Sequence, residues 1–230
     1  MASESAQTAL EPVCIAGRPV RERELYVSGE PVRFFEAADV DALLEDAIER
    51  GERPPYGAVP WASAAAVAQR LAETWSAAGA ACDVTVLDVG CGTGIGALAA
   101  ARLGARALAL DVDPFALALV EAAARAQGLA VELYAFDLEG DEPLPKGELV
   151  LFSDVLYEGP LADAAARRVL EVLERGDEVL VADPGRAGRE RFLARLDEAG
   201  VHGGFTPVAA RLPGDARTTE IGVFRARGAR

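Results

Sequence analysis

Four aspartates, Asp88, Asp111, Asp137 and Asp154, each stand at the end of a short apolar run. A carboxylate accepts hydrogen bonds and answers positive charge, so a row of them suits a ligand with an ammonium group, vicinal hydroxyls or an amine. The first is followed by Gly90-Cys91-Gly92-Thr93-Gly94-Ile95-Gly96. Glycines there permit tight turns and close approach of a ligand to the main chain, and a helix opening at that point adds free N–H donors. The run can be aligned with the dinucleotide pattern G-x-G-x-x-G/A as Gly92-Thr93-Gly94-Ile95-Gly96-Ala97. Asp88, two residues ahead of the first glycine, weighs against a pyrophosphate and for an ammonium group. Asp111 lies roughly 20 residues after the loop, where an acidic side chain takes both ribose hydroxyls of a nucleoside. Asp113 is its neighbour, but Asp111 directly follows the apolar run. Asp137 is placed to accept from an adenine amino group. Any one of these aspartates suits a helix N-cap; the four together point to a binding edge.

For these side chains to meet, the chain must bring five short segments to one place. Residues 84–89, 105–110, 130–136, 148–152 and 178–182 read as buried strands. Helical spacing falls between them, at about 95–103, 114–126, 161–173 and 189–199. Such alternation predicts an α/β fold, a doubly wound parallel sheet with helices on both faces. Residues 205–211 and 218–225 read as a closing strand pair. Ligands of open α/β sheets bind at the carboxyl ends of the strands, where all four aspartates fall. Ahead of this core, residues 1–60 form an N-terminal extension and linker, with the main domain at 61–230. The extension is expected to be polar and irregular at first, to hold a short strand at 25–27, and then to be helical from 36 to 50. Pro54, Pro55, Gly57 and Pro60 break the linker. From Trp61 a helix carries Ala64, Val67, Ala68, Leu71, Trp75 and Ala78 on one face and ends near Gly79.

Composition narrows the function. The chain has 230 residues, with 23 Lys and Arg against 37 Asp and Glu, a formal charge of −14. That balance disfavours a nucleic-acid partner, which calls for a basic stripe. The 51% apolar content is too high for a disordered chain. No uninterrupted apolar stretch is long enough to span a membrane. Glu4 and Glu11 sit where a secretory leader would be apolar, and Cys14, Cys82 and Cys91 form no CxxC pair. Both features point to a cytoplasmic location. His202 is the sole histidine and reads as a surface loop residue beside Gly203 and Gly204.

With these residues in view, the chain resembles the class I, seven-β-strand methyltransferases that use S-adenosylmethionine. Within them it is similar to the non-SET protein lysine methyltransferases, whose D-x-x-Y motif follows the fourth strand. Here that motif is Asp154-Val155-Leu156-Tyr157, preceded by Ser153. The segments that carry the likeness further are 54–61, 87–94, 111–117, 182–186 and 217–223. They resemble the branch that modifies the β-subunit of electron transfer flavoprotein. The resemblance implies a Rossmann-like sheet of seven strands, mostly parallel with an antiparallel C-terminal strand. It also implies S-adenosylmethionine as cofactor and a protein lysine as acceptor, in electron transfer flavoprotein β-subunit or a ribosomal protein. Two departures stand out: Leu138 replaces a frequent aromatic, and Ala62-Ser63-Ala64 follows Trp61 in place of a glycine pair.

By the same resemblance Gly90, Gly92 and Gly94 wrap the methionine portion, with Asp88 near its ammonium. Asp111 holds the ribose, Asp137 and Leu138 lie against the adenine, and Trp61 and Ser153 also reach the cofactor. Methyl transfer needs no metal, because the donor is already activated and the protein mainly aligns donor and acceptor. A free lysine, pKa about 10.4, is uncharged only about once in 2,500 molecules at pH 7, a penalty of about 4.6 kcal/mol. Asp154 and Tyr157 are therefore expected to be the catalytic pair, the carboxylate accepting from the amine and the phenol ring walling it in. A small-molecule N-methyltransferase is the nearest alternative. An NAD(P)-dependent oxidoreductase and a silent cofactor-binding module stand further off. Arg53-Pro54-Pro55-Tyr56 looks like the N/D-P-P-Y signature of amino methyltransferases, but that signature belongs after the fourth strand.

Overall fold

The computed structural model describes residues 13–78 and 83–229. Glu4, Glu11, Gly79 and Cys82 lie outside them. The extension opens with a three-stranded antiparallel sheet, β1 (Val13–Ile15), β2 (Arg18–Val27) and β3 (Glu30–Ala37). The strand expected at residues 25–27 is the end of β2, but the rest of the described stretch before residue 36 is sheet rather than irregular, and residues 36–37 belong to β3 rather than to the helix. The signal is hidden because half of β2 is charged, and its charges pair across the strands. Arg21 and Arg23 meet Glu36, and Arg33 meets Glu22. Val20, Val27, Val32 and Phe34 are buried beneath them. The turns Ala16-Gly17 and Ser28-Gly29 have positive φ at both residues, the geometry of tight hairpins.

Helix α1 (Val40–Arg50) starts four residues later than the apolar spacing suggests. Asp39 sets its start by accepting from the Ala42 N–H, and Gly51 ends it in the left-handed region. A single turn at Tyr56–Ala58 leads into α2 (Ala62–Ala78).

The main sheet follows the sequence pattern closely. Its strands are β4 (Thr85–Val89), β5 (Arg106–Asp111), β6 (Val131–Ala135), β7 (Leu149–Ser153), β8 (Glu178–Asp183), β9 (Thr206–Ala210) and β10 (Thr219–Arg227). The order in space is β6-β5-β4-β7-β8-β10-β9, seven strands with β10 antiparallel to both neighbours. Between them run α3 (Ile95–Arg102), α4 (Pro114–Gln127), α5 (Gly159–Glu174) and α6 (Gly188–Glu198). Pro114 opens α4 and Asp113 caps it, accepting from the Phe115 N–H.

Alternate residues of each strand feed two cores. Leu87, Leu110, Phe152, Val181 and Phe224 pack under α5 and α6, with Val169 and Phe192. Val86, Ala109, Leu151 and Val223 pack under α2, α3 and α4, with Leu71, Ala97 and Val120. The extension adds a third layer, in which Val32 and Phe34 of β3 pack on Ile95, Leu98, Phe115 and Leu119. The edge of β3 is closed by a side chain. The Arg33 N–H donates to Gln127 Oε1, and Gln127 Nε2 donates back to the Arg33 carbonyl.

From β4 the chain winds outward through β5 and β6, then crosses back to place β7 on the other side of β4. Loops leaving β4 and β7 therefore diverge and open a crevice at the carboxyl edge.

Candidate active site

A cavity of about 380 Å³ lies in that crevice, within the range of small-molecule sites. Trp61, Gly90, Gly92, Asp111, Asp137, Leu138, Ser153, Asp154 and Tyr157 all line it. Nine of the residues singled out in the sequence thus come together from five separate segments. Asp88 and Gly94 stand behind the wall.

Asp88 is fully buried and accepts from the Ala97 N–H at 2.9 Å, which ties β4 to the first turn of α3. Burial raises its carboxyl to about 7, against the hydrogen bond from Ala97, which lowers it. Gly94, at φ 74°, faces α4; a Cβ there would lie 2.4 Å from Val120 Cγ2. Its lack of a side chain lets α3 and α4 close up behind the loop.

The loop itself spends its donors inward. The Gly90 and Cys91 N–H groups reach the Leu110 carbonyl, Gly92 N–H reaches Asp111 Oδ2 at 2.9 Å, and Gly94 N–H reaches the Cys91 carbonyl. A dinucleotide pyrophosphate would need those donors, so this geometry opposes the nicotinamide reading. The lining charges oppose it too: Asp46, Glu52, Asp111, Asp113, Asp137 and Asp154 stand against Arg18 and Arg53.

Asp111 accepts from Gly92 N–H and, through Oδ1, from Asp113 N–H at 2.9 Å. These two backbone donors aim its carboxylate and leave lone pairs for hydroxyl donors. Burial raises its pKa, and the backbone hydrogen bonds oppose that rise. On the other flank, two arginines of α5 gather the carbonyls that follow β6. Arg168, almost wholly buried, donates to Gly140 O at 2.7 Å and stacks on Phe136. Arg167 donates to Glu139 O and Gly140 O. Asp137 remains exposed at the cavity wall beside buried Leu138.

At the opposite end, Asp154 is buried with φ 58°, a conformation non-glycine residues seldom adopt. Arg186 Nε donates to its Oδ1 at 2.8 Å, and Ser63 Oγ donates to its Oδ2 at 3.5 Å. Tyr157 packs edge-to-face on Tyr56, with ring centroids 6.0 Å apart. Trp61 Nε1 donates to the Tyr56 carbonyl at 3.2 Å. Burial raises the Tyr157 phenol above its ordinary value, so it stays protonated near neutral pH. The Ser153 hydroxyl is buried without a hydrogen-bond partner among the described residues.

Three groups of residues at or behind the cavity wall escaped the sequence reading. Tyr56 belongs to the Pro-Pro-Tyr segment set apart there, yet it lines the cavity from the linker side. Arg18 of β2 and Arg53 of the linker also line the cavity, Arg18 stacked on Phe115 and Arg53 paired with Glu139. Arg186 and Ser63 reach Asp154 from far along the chain, with no local pattern to mark them.

Residues 86–176 match the family model described as a methyltransferase domain. The seven-stranded sheet that contains them has the Rossmann-like fold of methyltransferases. The electron transfer flavoprotein β-subunit lysine methyltransferase of Danio rerio is 32% identical over 149 residues, covering 62% of this chain and 57% of that protein. The ribosomal protein L11 methyltransferase of Thermus thermophilus is 35% identical over 130 residues, covering 56% of this chain and 48% of that protein. The chain spans between 27% and 57% of the length of such curated relatives. Among solved structures, a 16S rRNA methyltransferase of Thermus thermophilus aligns with a TM-score of 0.57 at 17% identity, over 91% of this chain and 51% of the other. Magnesium protoporphyrin IX methyltransferase of Synechocystis aligns at 0.54 and 18% identity, over 83% and 95%. These structures share the fold of the methyltransferase domain. No helix among the described residues is long and apolar enough to cross a membrane.

Proposed function

We propose that the chain is an S-adenosylmethionine-dependent protein-lysine methyltransferase of the cytoplasm. One observation carries the reading. A single cavity holds Asp111, aimed by backbone donors at the end of β5, and Asp154, buried beside Tyr157 after the end of β7. The first suits ribose hydroxyls and the second suits an amine. The relatives acting on electron transfer flavoprotein β-subunit and on ribosomal protein L11 support a protein acceptor of one of those kinds.

The donor set fits the cofactor. The cavity is acidic, as a cationic ligand requires, and Ser153, whose buried hydroxyl has no partner among the described residues, is one of its lining residues. S-adenosylmethionine supplies a methyl group on a sulfonium that is already activated for attack. Asp111 would hold the ribose, and Asp137 with Leu138 the adenine, on a loop that Arg167 and Arg168 keep in place. Gly90 and Gly92 would line the methionine portion, with Gly94 and Asp88 supporting that wall from behind. Trp61 and Ser153 would flank the reacting end. Asp154 would accept an N–H of the acceptor amine, and Tyr157 would exclude water from it.

The reading is tested by incubating the enzyme and labelled S-adenosylmethionine with cell extract. Label in a protein band, resistant to nuclease and located on lysine, is the expected result. Label confined to the low-mass fraction would replace the lysine acceptor with a small amine. Calorimetric binding of NAD or NADP in place of the methyl donor would overturn the whole assignment.

A further inference from the structure

Asp154 already has a cation. Its carboxylate, 7% exposed, carries the 2.8 Å ion pair to Arg186 Nε, and the guanidinium also lies over the Trp61 ring, 5.3 Å from its centroid. The arrangement is built from three segments. Ser63 comes from α2, Asp154 follows β7 with its N–H on the Ala182 carbonyl, and Arg186 follows β8. Asp183, with no exposed surface, accepts from the Gly185 and Arg186 N–H groups and so fixes the turn that presents the guanidinium. Arg189 pairs with Asp183 and matches its charge, which leaves Arg186 to Asp154. The remaining ionisable group facing Arg186 is Tyr157, a neutral phenol near pH 7.

This pairing bears on which form of an amine the site takes. Only the neutral amine has the lone pair that attacks. A lone buried carboxylate attracts a proton onto a neighbouring amine and so favours the unreactive ammonium. A guanidinium on the same carboxylate offsets that attraction, and carboxylate lone pairs remain to accept an amine N–H. We propose that Arg186 is a positioning residue that offsets the charge of Asp154, so that the seat after β7 takes a neutral amine in preference to an ammonium. The inference rests on the methyltransferase reading given under Proposed function.

The test uses two cofactor analogues on the whole chain and needs no acceptor protein. S-adenosylhomocysteine lacks the transferable methyl. Sinefungin carries an amine on carbon in place of the sulfonium and its methyl, and so puts a protonatable nitrogen at the reacting end. The readout is the ratio of their calorimetric affinities at pH 7.5. In Arg186→Gln the uncompensated Asp154 should raise the preference for sinefungin about tenfold, the equivalent of one pKa unit. Arg186→Lys should keep the wild-type ratio within about twofold, since the charge is retained. Asp154→Asn, which leaves the guanidinium alone, should lower the preference about tenfold. An unchanged ratio in Arg186→Gln, with S-adenosylhomocysteine binding kept, would overturn the inference. If Arg186→Gln does not fold, Arg186→Met takes its place, read against Arg186→Lys. Failure of the wild-type chain to bind S-adenosylhomocysteine would instead overturn the cofactor reading.

Discussion

The two ends of the cavity hold their aspartates by different means. Asp111 is held by main-chain donors, Gly92 N–H and Asp113 N–H, both within one strand-loop-helix passage on either side of it. Asp154 is held by side chains, Ser63 and Arg186, that arrive from another helix and another loop. A backbone-built seat survives many substitutions around it, because the donors persist whatever the side chains are. A side-chain seat can be retuned by one substitution. On the proposed reading, the end that takes the cofactor is thus built for constancy and the end that takes the acceptor for specificity.

Predictions follow this contrast, from the largest effect to the smallest. Asp154→Ala should lower kcat by about 10³-fold, within the range for a group acting on the acceptor nitrogen, while the affinity for S-adenosylhomocysteine changes little. Steady-state kinetics with the acceptor and calorimetry without it separate the two effects, and equal losses in both would erase the contrast. Asp111→Ala should cost about 10²-fold in cofactor affinity, because charge-assisted hydrogen bonds are lost and two part-buried N–H donors are left unpaired. Gly94→Ala should destabilise the fold by about 2–4 kcal/mol in urea unfolding, from the collision with Val120 and from the positive φ. Val120→Ala should relieve part of that loss.

The smallest effect concerns pH. Burial lifts the Asp88 carboxyl from 3.8 to about 7. Between those values the folded chain keeps a proton that the unfolded chain has lost. The stabilisation is therefore full below pH 3.8 and disappears as pH rises through about 7. Burial raises Asp111 as well and adds to the same slope. Asp88→Asn should flatten the fall of Tm measured from pH 5 to 8, with affinity for the cofactor nearly kept. A large loss of affinity would mean that Asp88 acts on the ligand rather than behind the loop.

How much of this could be read from the residues follows the same division. The main sheet was readable because β4, β5, β7 and β8 are apolar on both faces and end at recognisable turns. The Gly90–Gly94 loop and Asp111 were readable because their geometry is local. Arg186 and Ser63 were not, since a contact between residues 63, 154 and 186 leaves no mark at any spacing. The β2 and β3 hairpin was hidden by its charges: Arg21, Glu22, Arg23 and Glu24 look like loop, and only the partner strand makes them a ladder of ion pairs. Asp88 and Gly94 were found, but not the contacts they make, Asp88 with the Ala97 N–H and Gly94 against Val120. Sequence shows that a glycine or a carboxylate is needed, not which neighbour needs it.

Gln127 gives the extension its mechanical character. By pairing with both backbone groups of Arg33, its amide occupies the place of a fourth strand, and Arg102 also donates to its Oε1. An open β-edge invites another chain to add on; here that invitation is taken up by the last residue of α4. The same bonds join the small sheet to the helices that carry Asp113 and Phe115. Arg18, which reaches the cavity from that sheet, is therefore mounted on the same frame as the cofactor wall, and moves with it as masonry rather than as a door.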